Sequence, residues 1–370
     1  MMGSNHFIDR SGWVSEELDL WEPITVTKEE IDEEIERLSS QPRPSNGRRH
    51  SLIVHPRWRE LGVGPGLNPG VRVTLEVLLP GESTEPIRHN STQINFCILG
   101  SGATIIGGNR INYSRYDTWN FPSMTTYKHI NDSDKIHARL CYSNAPMLEK
   151  LNVHVVEDNA EEMSLRTVTN GSETGSDHLY NRSKKIVPLG NDGAFLMPYE
   201  ILVNPEPIET KSLHWPWVGV EAELEKLGSL DKNYRGRRLY MMWNPATGRH
   251  NGITPNFFAT ITIRPGGIVD RPHRHTSSAI NYYFEGSGYS VVEKKRYEWK
   301  AGDLMLSAPG WGVHNHASYD DTVYELTVQD QPLMLYMESL LWQESLKEPW
   351  RLLGSEDGFR TNADDLTKAS

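Results

Sequence analysis

Hydrophobic and polar positions along this chain follow two different periods. Near the N-terminus, Thr27 opens the run "TKEEIDEEIERLSS", in which Ile31, Ile35 and Leu38 fall on one stripe and Glu30 lies three residues after Thr27. That pattern predicts one amphipathic helix begun by a capping box. Beyond it the period shortens. "VRVTLEVLL", "INFCILGSG", "FFATITIRP", "INYYFEGSGYSVVE" and "DTVYELTVQ" are β-branched and aromatic, and Gly, Pro, Asn or Asp bounds each of them. They predict strands in an all-β molecule joined by tight turns.

The pattern is written twice. When the chain is slid past itself by roughly 186 residues, "GRRHSLIVHP" (47 to 56) lies on "GRRLYMMWNP" (236 to 245), and "PIRHNSTQINFCILGSG" (86 to 102) lies on "PHRHTSSAINYYFEGSG" (272 to 288). Further on Arg110 meets Arg296, Asp117 meets Asp303, and Pro122 meets Pro309 after a one-residue adjustment. Repetition on this scale predicts a duplicated β domain. The expected division is a helical arm over 1–45, a first barrel over 46–156, a linker with loops over 157–225, a second barrel over 226–345 and a tail over 346–370. Within the linker, residues 157 to 185 are polar and aperiodic, the composition of a surface connection.

Composition narrows the classes of function. The chain has 370 residues, 38 basic against 49 acidic, and a formal charge of −11, which repels nucleic acid rather than steering it in. No apolar run is long enough to span a bilayer and nothing resembles a secretory signal, so a cytoplasmic setting is expected. The two cysteines, Cys97 and Cys141, read as buried small hydrophobes.

The candidate chemistry lies in histidines. In a strand, residues two apart share a face, so His273 and His275 project together while Arg274 points the other way. About forty residues later "AGDLMLSAPGWGVHNHA" carries His314 and His316. An antiparallel barrel can bring His314 opposite the first pair, giving a three-nitrogen metal site with open positions. An isolated HxH pair is weak evidence, because most histidines are surface or structural residues. The duplication adds weight. In the first copy His273 is replaced by Ile87 and His314 by Tyr127, whereas His275 and His316 correspond to His89 and His129. The scaffold therefore does without His273 and His314, and a site present in one copy alone explains them most simply.

These residues carry a resemblance. The two motifs look like those of a cupin, and the duplicated barrel with "HRHTSSA", "GDLMLSAPGWGVHNH" and a following "DQPL" resembles the gentisate 1,2-dioxygenase group of bicupins, with salicylate and 1-hydroxy-2-naphthoate dioxygenases as relatives. It covers about residues 46 to 345. The resemblance implies two tandem double-stranded β-helix barrels, with an N-terminal helix and connecting helical or loop segments, and a soluble ring-cleaving enzyme. The edge strands such barrels leave, and the N-terminal helix read as an arm toward a neighbouring subunit, predict a homo-oligomer (dimer or tetramer). It implies ferrous iron, Fe(II), held by His273, His275 and His314. Ala279 stands where many cupins place a glutamate ligand. The paired Arg237-Arg238, followed by Asn244-Pro245, matches a family motif, and an arginine fork suits a substrate carboxylate. Against that, Arg48-Arg49 persists in the copy without the histidine set. His316 is the candidate acid/base or hydrogen-bond partner of substrate, with a purely structural role as the alternative because His129 persists in the first copy. Asn281 and Tyr283, two and four residues beyond Ala279, are candidates for the pocket wall and Trp311 for stacking on the ring, with plain core packing the commoner role of buried aromatic residues such as Tyr283 and Trp311.

The sequence departs from those relatives in three places. Their iron usually sits in the first barrel, Asn281 stands where they often carry an arginine, and their "WLDGLD" is reduced to "ELTVQDQP". The expected reaction is insertion of both atoms of O₂ into a hydroxylated aromatic carboxylate. The alternatives are a metal-dependent cupin isomerase, lyase or decarboxylase, or a binding bicupin without catalysis.

Overall fold

The computed structural model describes residues 6–60, 62, 64–160, 186–189, 193–199, 208, 210–230, 234 and 237–359. Most of the polar connection over 157 to 185 and the last eleven residues of the expected tail lie outside the described residues.

Each copy of the repeat folds as two facing antiparallel sheets, the layout of a cupin barrel. In the second copy a six-stranded sheet runs in the order Ile24–Val26, Leu304–Pro309, Ser278–Glu285, Val323–Gln329, Phe258–Arg264, Leu239–Met242. Facing it are Lys295–Lys300, Ser287–Val292 and His314–Ser318, with Arg274–His275 joined to Leu341–Gln343 and Arg351–Leu352. The first copy repeats this order with His214–Trp215, Thr118–Phe121, Gln93–Leu99, His137–Ser143, Arg72–Leu78 and Arg49–Ile53. Its central strands stand 186 positions before their counterparts, as Arg72–Leu78 does before Phe258–Arg264.

The repeated "GSG" has two separate reasons. Gly100 and Gly286 turn with φ of +75° and +73°, in the left-handed region that glycine enters without strain. At Gly102 and Gly288 a Cβ would collide first with the carbonyl of Ile130 or Ala317 and then with the ring of Tyr113 or Trp299, so the missing side chain is room for close strand backbone and an aromatic ring.

Each barrel borrows one edge strand. Ile24–Val26, at the N-terminus, pairs with Leu304–Leu306 of the second barrel, and His214–Trp215, just before the second copy, pairs with Thr118–Trp119 of the first. A helix follows each borrowed strand and packs the opposite way. Lys28–Ser40, with the Thr27/Glu30 capping box, buries Ile31, Ile35 and Leu38 against the first barrel. Trp217–Gly228 buries Leu224 and Leu227 against the second. The strand-and-helix prefix is thus duplicated along with the barrels.

Two sequence expectations need correction. The N-terminal helix, read as an arm toward a neighbouring subunit, spends its apolar stripe on its own chain. The tail begins later than expected, because Arg351–Leu352 pairs with Leu341–Trp342. One core joins the barrels: the ring of Phe96 lies 5.8 Å from that of Tyr282 and 5.5 Å from that of Phe284. Cys97 and Cys141 are free and buried.

Candidate metal centre

In the second barrel His273 and His314 face one another across a bridge between the two sheet halves. His275 lies one pleat further along the same strand face, and its ring centre is 4.8 Å from that of His314. One ring nitrogen from each of these three residues lies within 4.8 Å of the others, and all three side chains are buried. Their other nitrogens face carbonyl oxygens: Nδ1 of His273 is 3.1 Å from Arg271 O, that of His275 2.8 Å from Ser277 O, and that of His314 2.9 Å from Gly312 O. A carbonyl only accepts, so each Nδ1 carries the hydrogen and each Nε2 keeps a lone pair. Burial also disfavours the charged form. It pushes the His314 pKa down to about 4 and those of His273 and His275 well below the ordinary range. Three neutral imidazoles with oriented lone pairs fit a divalent transition metal.

The first barrel shows what fills the same place when the set is broken. Ile87 pairs with Tyr127 as His273 does with His314. His89 retains its Nδ1 contact with a carbonyl, Ser91 O, while its Nε2 lies 3.0 Å from the Tyr127 hydroxyl. That hydroxyl occupies the lone pair a metal would use.

The triad opens into a cavity of about 220 Å³. Arg237, Arg238, Ala279, Asn281 and His316 line it, so five further residues singled out in the sequence meet there. Arg238 is buried, whereas Arg237 is exposed at the rim, paired with Glu344 at 3.0 Å and lying 5.5 Å over the Trp342 ring. In the first copy the same two arginines are tied into the framework, Arg48 to Asp158 and Arg49 to Glu82. Asn281 shows its amide to the cavity but spends it on the barrel: Ser307 donates to its Oδ1, and its Nδ2 donates to Thr327 at 3.0 Å. Asn95 holds the equivalent place in the first copy, buried and hydrogen-bonded to Gln93.

Tyr283 and Trp311 are absent from the cavity wall. Tyr283 shares the strand face of Asn281 but sits one layer deeper, stacked on Trp299 at 3.7 Å. Trp311 lies on the outer side, where the Arg274 guanidinium covers its ring at 4.4 Å. The aromatic wall is instead Trp342, whose ring centre is 4.6 Å from His275 and 5.8 Å from His273. It arrives on a strand that pairs with Arg274–His275, a placement set by tertiary pairing and without a local motif.

The cavity floor holds further groups that sequence reading passed over. Arg264 is buried between Glu325 and Asp270, each at 2.9 Å. A signal did exist, since Arg264 and Glu325 are charges on an inward parity whose other positions are uncharged. Gln329 accepts a hydrogen bond from Ser277, which in turn contacts His275.

Fold and site together define a bicupin in which one barrel keeps a histidine-lined metal-type cavity. No protein-family model matches the chain. It is 24% identical over 286 residues to gentisate 1,2 dioxygenase 1 of Aquipseudomonas alcaligenes, covering 74% of this chain and 77% of that protein. It is 30% identical over 141 residues to 5-nitrosalicylic acid 1,2-dioxygenase of a Bradyrhizobium species, covering 37% of this chain and 68% of the relative. The fold matches that of salicylate 1,2-dioxygenase from Pseudaminobacter salicylatoxidans with a TM-score of 0.71 at 17% identity, over 92% of this chain and 94% of that one. The chain belongs to the gentisate 1,2-dioxygenase-like family of bicupins, and it is an enzyme of the aromatic ring-cleaving dioxygenase type.

Proposed function

We propose that the second barrel binds ferrous iron through Nε2 of His273, His275 and His314 and cleaves the ring of a hydroxylated aromatic carboxylate. Gentisate, a substituted salicylate and a hydroxynaphthoate are the candidate rings. The observation that carries this is the convergence of three carbonyl-oriented, neutral imidazoles on one cavity of a chain from a dioxygenase family. Bound there, iron would supply a Lewis-acidic centre with positions for two neighbouring substrate oxygens and for dioxygen.

The chain's own residues do the rest. Arg238, and Arg237 at the rim, take the substrate carboxylate; a charge-assisted, two-pronged contact fixes the ring's direction as well as its affinity. Trp342 supplies a flat wall beside the triad. His316, buried on the cavity wall, offers a hydrogen bond to a substrate oxygen. Asn281 shapes the wall and, with its amide already engaged, leaves the carboxylate to the arginines. This division of labour favours a ring bearing one carboxylate directed at buried Arg238.

Assembly as a homo-oligomer belongs to the same reading. The hairpin Val187–Leu189 and Ala194–Leu196 exposes Val187, Leu189, Phe195 and Leu196, which supports a covering surface. A cytoplasmic setting accords with two free, buried thiols.

An oxygen electrode tests the proposal. Fe(II)-loaded protein, offered gentisate, 5-aminosalicylate, 5-nitrosalicylate, salicylate and 1-hydroxy-2-naphthoate in turn, is expected to consume one O₂ per ring opened with at least one of them. Turnover of any of these rings under strict anaerobiosis would overturn it in favour of an isomerase, lyase or decarboxylase.

A further inference from the structure

His316 is connected differently from its three neighbours. Their Nδ1 atoms face carbonyls, whereas Nδ1 of His316 lies 2.7 Å from the hydroxyl of Ser290 on the facing strand. A hydroxyl can donate or accept, so this contact alone leaves the ring's hydrogen on either nitrogen. The surroundings of Ser290 decide which. The indole N–H of Trp299 lies 2.9 Å from the same oxygen, and indole nitrogen only donates. The hydroxyl of Tyr283 lies 3.4 Å from it, and Ser290 is the hydrogen-bond partner recorded for that hydroxyl among the described residues.

A serine oxygen has two lone pairs and one hydrogen. When Trp299 and Tyr283 donate into it, both lone pairs are taken and its hydrogen goes along the shortest contact, to Nδ1 of His316. The donors of Trp299, Tyr283 and Ser290 are then all satisfied, and the ring hydrogen of His316 is left on Nε2. In the reverse arrangement Nδ1–H of His316 donates to Ser290, whose hydrogen must turn to Tyr283 over 3.4 Å, and the buried Tyr283 hydrogen is stranded. Leaving a buried donor unpaired forfeits its hydration with nothing in return, which favours the first arrangement and fixes one tautomer.

We propose that Trp299 and Tyr283, acting through Ser290, lock His316 as the Nε2–H tautomer, so that it meets substrate as a hydrogen-bond donor and not as a proton acceptor. Among the described residues Nε2 has no hydrogen-bond partner, and it belongs to a side chain on the cavity wall. The four histidines thus divide into three that present lone pairs and one that presents a hydrogen. The donor suits an oxygen of the ring substrate that carries or gains negative charge. Ser290, Trp299 and Tyr283 are positioning residues, since they touch His316 or Ser290 and no cavity atom. The first barrel keeps a hydroxyl at this point, with Thr104 2.8 Å from Nδ1 of His129, but has Tyr113 in place of Trp299.

The assignment of a role toward substrate rests on the dioxygenase reading above; the tautomer itself does not. Long-range ¹H–¹⁵N correlation spectra of full-length, ¹⁵N-histidine-labelled, Zn(II)-loaded protein report it, with the His316 signals identified by their loss in His316→Gln. Wild type is expected to show a protonated Nε2 and a bare Nδ1. Ser290→Thr, which restores the hydroxyl of the first barrel, is expected to keep that pattern. Ser290→Ala is expected to lose it, and in the iron-loaded enzyme to lower kcat by on the order of 10- to 100-fold with KM changed less than about threefold. Trp299→Phe, which keeps the stacked ring and removes the N–H, is expected to shift the spectrum partway toward Nδ1–H. A wild-type spectrum with the hydrogen on Nδ1 overturns the proposal whether or not the variants fold. If the spectrum is as stated but no ring substrate consumes O₂, the dioxygenase reading fails and the tautomer lock stands.

Discussion

The carboxylate of Asp303 accepts the backbone N–H of Lys28 at 2.7 Å, tying the second barrel to the first residue of the N-terminal helix. Asp117 does the same for Trp217, also at 2.7 Å. The two aspartates are counterparts in the repeat, and each satisfies one of the donors that a helix leaves open at its start.

Removing that acceptor should therefore cost stability at a distance from the site. Asp303→Ala also loses the contact with the backbone N–H of Lys300, and a decrease of about 1–2 kcal/mol is expected. Urea unfolding followed by circular dichroism reads it, with Asp303→Asn recovering most of the loss. A variant as stable as wild type would show that water replaces the carboxylate without cost.

Metal binding should follow the residues the first barrel has already dispensed with. His273→Ile and His314→Tyr each install the side chain the other copy tolerates, so the fold is expected to persist while bound iron, measured by elemental analysis, falls from about one per chain toward zero. Retention of full metal by His314→Tyr would remove that residue from the ligand set.

The converse substitution is more demanding. Ile87→His together with Tyr127→His removes the hydroxyl that caps His89 and rebuilds three imidazoles in the first barrel. A second equivalent of metal per chain is expected, read by titration with Zn(II) or Co(II). A single equivalent would show that the neighbouring ring of Phe121, 4.1 Å from that of Tyr127, leaves no space.

Substrate orientation should depend on the arginines unequally. Arg238→Lys keeps the charge but loses the planar fork, and KM for a carboxylated ring is expected to rise by about 10-fold, equivalent to one charge-assisted hydrogen bond of about 1.5 kcal/mol. Arg237→Lys, at the exposed rim, is expected to change KM by less than threefold. Equal effects of the two would place the carboxylate at the rim.

The stability of the protein should carry the signature of one buried acid. Asp330 accepts the backbone N–H of Ser278 at 2.8 Å, yet burial raises its pKa from 3.8 to about 6. A carboxyl with a raised folded-state pKa binds its proton more tightly when folded. Its contribution is fully present below about pH 4 and is lost as pH rises to about 6, a change of about 3 kcal/mol at this order of precision. Asp330→Asn keeps the acceptor and removes the titration. Between pH 4 and pH 7 the variant is expected to gain on wild type by that amount in urea midpoints, and parallel curves would refute the assignment.

Much of this was legible in the sequence because duplication turns one chain into its own comparison. The strands, the 186-residue step and the pair of positions where only one copy has histidine all follow from overlaying the halves. Strand parity placed Asn281 on the cavity wall but gave no depth, so Tyr283, on the same face, lies beneath the cavity with Trp299. Trp311 was misplaced because parity ends at a turn. Trp342 was invisible because pairing with His275, a contact 67 positions away along the chain, brings it to the site. The helix Trp217–Gly228 has a stripe of Trp217, Val220, Leu224 and Leu227, but its start, "WPWVGV", is rich in poor helix formers. Its N-terminus takes its acceptor from Asp117, one hundred residues back.

The borrowed edge strands bear on how the protein is made. During synthesis the first barrel emerges with one sheet edge bare until residues 214 and 215 leave the ribosome, while the strand that closes the second barrel has been waiting since residue 26. Neither half can be finished alone, so truncation between the copies should leave a nascent chain with an open, sticky edge rather than a smaller working protein.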